Sequence, residues 1–250
     1  MNVYFVMLYF FVYSFFGWCT EVAFAAFKEH RFVNRGFLNG PLCPIYGFGV
    51  SIVILFLTPY KNNLPLLFVT SILLVTLLEG LTGWCMEKIF HHKWWDYSQI
   101  PFNIGGYVCL LFSLIWGAFC VVILKLFHPL IQKPLEFLPF PIGVMLIAIL
   151  SGLLITDTCV TASEIFKLNQ NLEKLEKIAA DLHGFSDRIG IDIYKRTMHT
   201  MDTVEELNQR YHELEHKIIK TSARLFFAFP HMESRKHKKL LEELRRRISK

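Results

Sequence analysis

LLFVTSILLVTLLEGLTGWCMEKIF, residues 66–90, decides the fold. A helix needs about 20 mostly apolar residues to cross the hydrocarbon of a bilayer, and this stretch meets that length with Glu79 as its first formal charge. Working outward, segments 3–27, 42–58, 104–127 and 140–159 have the same character, so five membrane-spanning helices are predicted. Segment 42–58 is the shortest and opens with Pro41 and Pro44, which predicts an irregular or partly re-entrant entry. Segment 3–27 is read as a span and not as a leader, because nothing basic precedes it and it exceeds the apolar core of a signal peptide.

Composition agrees. Hydrophobic residues make up 53% of the 250 and charged residues 19%, against about 25% charged in a soluble domain. Residues 1–159 hold eight Lys/Arg and seven Asp/Glu, whereas residues 160–250 hold 18 and 14. The expected architecture is all-α: a polytopic helical membrane bundle over 1–159, then a cytosolic helical hairpin or coiled-coil tail over 160–250 with a basic C-terminus. A secreted mini-protein, a disordered chain and a wholly soluble enzyme are excluded. Lys28, Arg31 and Arg35 lie in the first loop, Lys88 and Lys93 in the third, and most of the cations in the tail. The positive-inside rule then places the N-terminus outside and the C-terminus in the cytosol of a multi-pass cell-membrane protein. A further re-entrant segment near 95–107 would leave that orientation unchanged.

Gly17-Trp18-Cys19-Thr20-Glu21 recurs as Gly83-Trp84-Cys85-Met86-Glu87. Both copies sit near the predicted cytosolic end of an inward-going span, as in parallel repeats related by an axis along the membrane normal. Gly and Trp are also common at membrane interfaces, which is the plainer reading.

Ionisable groups within spans usually face the bundle interior and find partners. Glu21, Glu79 and Glu87 are such groups, and Glu79, Gly83 and Glu87 share one helix face. Glu79 is the deepest and is expected to meet a polar or cationic partner instead of lipid, whereas Glu21 and Glu87 can also reach interfacial water. Arg35, set among turn-forming residues beside Asn34, is expected in an ion pair or a headgroup contact, with Glu21 and Glu87 as its obvious acids. In the next loop, Trp94 and Trp95 read as an aromatic belt. Asp96 between Trp95 and Tyr97 should seek a cation. Asn103 follows in Pro101-Phe102-Asn103. His91 and His92 point to different helix faces, and no Cys pairs as C-x-x-C, so neither a metal nor a cofactor is expected. Asp157 is read as a cap for the helix that follows.

The combination of Gly17-Trp18, Glu21, Asn34 to Leu38, Gly40-Pro41, Pro44 to Gly47, Gly49, Trp94 to Ser98 and Pro101 to Asn103 resembles the bacterial CmpB-like membrane proteins. These are labelled ABC-transporter permeases and are related to the transmembrane-protein-229 family of animals. The resemblance covers the membrane block and implies a transport subunit working with a separate ATPase. It also implies Gly-Arg-Ile-Cys-Leu where this chain has Gly106-Tyr107-Val108-Cys109-Leu110.

In the tail, Ile165, Leu168, Leu172, Leu175, Ala179 and Leu182 alternate spacings of three and four, as do Val204, Leu207, Tyr211, Leu214 and Ile218. That seam predicts a hairpin interrupted at His183-Gly184 and joined near Gly184–Gly190, or a homo-oligomer formed through the tail. Arg235-Lys236, Lys238-Lys239 and Arg245-Arg246-Arg247 form a basic last helix suited to anionic lipid headgroups. No nucleic-acid-binding motif, phosphate-binding loop or hydrolase signature occurs. A permease-like subunit lacking its own ATPase, of unknown substrate, is therefore the first functional expectation, with Glu21, Asn34, Arg35, Glu79, Glu87, Asp96 and Asn103 as path or ion-pair residues. The alternatives are an intramembrane enzyme acting on a lipid or isoprenoid carrier, and a scaffold recruiting partners through its tail.

Overall fold

The computed structural model describes residues 2–189 and 197–248, with side chains described for 2–182 and 204–248. Helix α1 (Val3–Glu29) starts where the Asn2 side chain accepts a hydrogen bond from the Tyr4 amide, and ends at His30 in the left-handed region. Helix α3 (Leu64–Phe90) repeats both devices, with Asn63 accepting from the Leu66 amide and His91 left-handed at its end. Between them runs the shorter α2 (Pro44–Leu57), which has Pro44 in its first turn, where a missing amide hydrogen costs nothing. Helix α4 (Leu110–Val122) continues through a π-helical turn, Ile123–Phe127, into α5 (His128–Glu136).

Among the described residues, four helical stretches are long and apolar enough to cross a membrane: Val3–Glu29, Leu64–Phe90, Leu110–Glu136 and Phe140–Leu182; Pro44–Tyr60 is a shorter apolar helix. The chain is thus an all-α multi-pass membrane bundle. Leu73, Leu77 and Leu81, spaced four apart on α3, are all exposed. In water such a stripe would be destabilising, whereas in hydrocarbon it is the expected lipid-facing surface. Helix α1 packs chiefly on α2 and α3 on α4, giving two helical hairpins, with α2 touching α3 between them. Tyr9, Tyr13, Val53, Ile54, Leu67 and Cys120 make the buried cluster where the hairpins meet.

The fourth predicted span begins at Leu110 and not at 104, because residues 103–109 form a small antiparallel ribbon, β2 (Asn103–Ile104) with β3 (Val108–Cys109). Helix α6 (Phe140–Ile189) runs from the apolar segment into the polar region without a break in its backbone. Its seam residues Ile165, Leu168, Leu172 and Leu175 are buried against Ile218 and Leu225 of α7 (Thr197–Ala228) and Leu241 and Leu244 of α8 (Lys238–Ile248). The expected hairpin therefore forms within one chain. The backbone stays helical through His183-Gly184, where an interruption was expected, and the connection beyond Ile189 lies outside the described residues.

The tail does not stand apart from the bundle. Phe90 and Trp94 are part of its core, with Phe37 packed against it. Strand β4 (Glu233–Ser234) pairs antiparallel with β1 (His92–Lys93). Trp94 is therefore not a belt residue facing headgroups: it is 6% exposed, edge-on to Phe37 and Phe229.

Candidate functional site

Two carboxylates at the tail end of the bundle are held by the same chemistry. Glu21 accepts a hydrogen bond from the Tyr46 hydroxyl at 2.7 Å. Gly17, one turn earlier on α1, makes this possible, since a β-carbon there would collide with the Tyr46 ring. Arg35 Nε lies 3.9 Å from the other Glu21 oxygen, and both side chains are about one-quarter exposed. The sequence expectation of an Arg35 ion pair thus has Glu21 as its acid. Asn34 builds the turn that places Arg35: its Oδ1 accepts from the Trp18 indole at 2.8 Å and the Gly36 amide at 3.1 Å, and its Nδ2 donates to the Asn39 carbonyl at 2.8 Å.

The second copy has Glu87 accepting from the Tyr107 hydroxyl at 2.6 Å. Gly83 lies beneath the rings of Trp95 and Tyr107, 3.1 Å from where its β-carbon would be. The cation is Arg235 of the tail, with Nε 2.6 Å from a Glu87 oxygen. Glu87 is only 2% exposed, so it does not snorkel into water. The hydrogen bond to Glu87, aided by burial, raises the pKa of the Tyr107 hydroxyl. The resemblance implies an arginine at position 107. Here a tyrosine occupies it, and the positive charge comes from Arg235, assigned on sequence to lipid headgroups. The copies are not in register along their helices. Glu21 precedes the end of α1 by eight residues, and Glu87 precedes the end of α3 by three. The difference of five residues is about 7.5 Å along the axis.

Glu79 lies deeper than either, eleven residues before the end of α3. Its Oε1 accepts from the Tyr97 hydroxyl at 3.2 Å, while Oε2 is buried without a partner. Of the polar or cationic partners expected for Glu79, the one present is the polar Tyr97 hydroxyl. Burial raises the Tyr97 pKa, and the charge of Glu79 and the hydrogen bond to it add to that rise. Its ring stacks on Phe112 of α4 at 4.7 Å. Glu21–Tyr46 on the α1–α2 hairpin and Glu79–Tyr97 on α3 and its loop are two hydrogen-bonded pairs, near enough for the Glu21 charge to bear on Tyr97, and together they form a loose carboxylate cluster.

Asp96 and Asn103 instead shape the second loop. Asp96 accepts from the Ser98 amide and hydroxyl and lies 3.7 Å from Lys93. Partial burial raises its pKa, but the Ser98 and Lys93 interactions outweigh this and hold it below the usual carboxylate range. Asn103 accepts from the Gly106 amide at 3.2 Å and donates to the Ile100 carbonyl at 2.8 Å. Gly106 has φ +75°, and a β-carbon there would meet Asp96 and Ser98.

The tail clamps both loops. Arg224 donates to the carbonyls of Gly36, Phe37 and Leu38 at 3.2–3.4 Å. Asp157, in the middle of α6, accepts from the amides of Asn39 at 3.1 Å and Gly40 at 2.7 Å. It caps a loop and not the helix after it, because α6 never stops there. His92 is fully buried, with Nε2 2.6 Å from Asn169 Oδ1, and Asn169 in turn donates to the Phe90 carbonyl. Sequence reading missed Tyr46, Tyr107, Arg224 and Arg235.

Fold and site define an α-helical multi-pass membrane protein with carboxylates locked at the end shared by its loops and tail. The chain belongs to the ABC_trans_CmpB family, described as "Putative ABC-transporter type IV", whose pattern matches residues 8–162. No curated protein and no solved structure matches it.

Proposed function

We propose that the chain is a permease-like transport subunit that works with a separate ATPase. The observation that carries this reading is the two partly buried carboxylate–tyrosine pairs, Glu21–Tyr46 and Glu79–Tyr97, one on each helical hairpin. Buried ionisable groups at helix–helix junctions commonly mark solute or ion pathways. Glu79, with one carboxylate oxygen unpartnered, is the group available to a passing solute or proton. Arg35 and Arg235 brace the flanking acids and Asn34 shapes the loop, whereas Asp96 and Asn103 hold the second loop in shape.

The loops 30–43 and 91–109 join the tail at one end of the bundle, and these segments carry most of the Lys and Arg. This supports a cell-membrane orientation with that end in the cytosol and the N-terminus outside. The membrane block over 1–159 contains the path. The tail over 160–250, whose α6–α7 seam has coiled-coil spacing, is the surface for the ATPase. Since that seam is already filled within one chain, self-association through the tail would have to use its outer faces.

The test is ATP-dependent solute flux in vesicles containing the chain together with the ATPase that co-purifies with it. Glu21→Gln and Glu79→Gln should each abolish flux, while Glu213→Gln on the exposed face of α7 should not. Unchanged flux in both cluster variants would remove the cluster from the path.

A further inference from the structure

The opposite end of the bundle carries a second polar feature. Across residues 58–65 and 123–139 the only charged side chains are Lys61, Lys125, Lys133 and Glu136. Glu136 is engaged by the Gln132 amide at 2.7 Å. Lys61 and Lys125 instead converge on a cavity of about 240 Å³ that Thr58, Asn62, His128 and Gln132 also line. Among the described residues neither lysine has an ion pair, so two lysines line one cavity whose wall includes no Asp or Glu.

The cavity wall is built. Lys125 sits in the π-helical turn Ile123–Phe127, and such turns recur at functional sites because the added residue re-aims side chains. Here the turn supplies the buried Leu124 and the exposed Lys125 to the cavity wall side by side. His128, directly after the turn, is fixed by the Tyr13 hydroxyl at 3.3 Å and the edge of the Tyr9 ring at 4.8 Å. Within the turn and just after it, Leu126, Phe127 and Leu130 are 56%, 49% and 62% exposed, an apolar surface on the same helical stretch as Lys125.

We propose that this cavity binds a phosphate group, in the first instance one carried by an anionic amphiphile. Lysine ammonium groups act as mobile point charges suited to phosphate, and the apolar surface matches an acyl or isoprenyl chain. Free phosphate shares the headgroup chemistry and lacks the chain. The site lies away from the carboxylate cluster and does not depend on the transport reading.

The experiment is thermal unfolding of the full chain in a neutral detergent, titrated with dihexanoyl phosphatidate or with inorganic phosphate. The native chain and Lys133→Gln should be stabilised saturably. Lys61→Gln/Lys125→Gln should raise the half-saturating concentration at least tenfold, and Lys61→Arg/Lys125→Arg should preserve binding. Stabilisation by phosphatidate alone assigns a headgroup, and equal stabilisation by inorganic phosphate assigns a free phosphoanion. No saturable shift with either probe, or a Gln double variant that binds as the native chain does, overturns the proposal.

Discussion

Arg235 Nε lies 2.6 Å from a carboxylate oxygen of Glu87, a residue 148 positions earlier and 2% exposed. The oxygen has no aligned hydrogen bond in this contact, so the pair is held by charge and proximity. Arg235 also donates its backbone amide to the His91 carbonyl at 3.0 Å. One residue of the tail thereby grips the end of α3 through both side chain and main chain.

Removing that cation leaves a buried carboxylate with only the Tyr107 hydroxyl. Breaking a buried pair costs about 3–5 kcal/mol, but the Arg235 side chain is 59% exposed, which reduces the expectation to about 1–2 kcal/mol through solvent screening. Arg235→Ala should lower the midpoint of thermal unfolding, and Arg235→Ala in a Glu87→Gln background should lower it much less. Equal losses in both backgrounds would show that the pair contributes nothing.

Trp94 joins loop and tail. Its indole lies among Phe37, Phe90 and Phe229, so Trp94→Ala should cost about 3–5 kcal/mol, as for a large aromatic truncated in a core. Limited proteolysis should then release tail fragments at protease levels that leave the native chain intact. Trp84, 49% exposed on α3, is the control, and its truncation should have a small effect.

The two motif glycines should differ in tolerance. At Gly17 a β-carbon would overlap the Tyr46 ring, whereas at Gly83 its nearest neighbours stand 3.1 Å away. Gly17→Ala should therefore displace Tyr46 from Glu21 at a cost of about 1–3 kcal/mol from overpacking. Gly83→Ala should cost less, and thermal unfolding of the two variants ranks them directly.

Docking of the tail should depend on pH through His92. Burial lowers its pKa, opposed by hydrogen bonds to Asn169 and the Glu233 backbone and reinforced by His91 and His237. The unfolded chain takes up a proton near pH 6.5 that the folded chain resists. The stability from this group is therefore full above about pH 6.5 and is lost as pH falls from there through the lowered folded-state value. Thermal midpoints measured from pH 7.5 to 5.5 should fall for the native chain and fall less for His92→Gln.

Much of the bundle was legible because crossing a bilayer imposes a length and a composition that Leu66 to Phe90 display openly. The seam from Ile165 to Leu175 was legible for a similar reason, since period alone identifies a buried face. Trp94 and Asp157 were misread because each has a plausible local role, interface anchor or helix cap, and only the tertiary fold supplies the nonlocal partner. Arg235 was misread for the same reason: a basic helix beside a membrane has a general explanation, and nothing in its spacing points to Glu87. The Arg35–Glu21 pair was readable because both residues lie within one hairpin.

The most direct measurement is mild-detergent purification of the full chain from its native membranes after cross-linking, with ATP hydrolysis and subunit mass determined on the eluted complex. A transport subunit without its own ATPase predicts a co-eluting nucleotide-hydrolysing partner, lost when residues 161–250 are deleted. A chain that elutes alone, with no ATP hydrolysis in its fractions, would contradict ATP-driven transport.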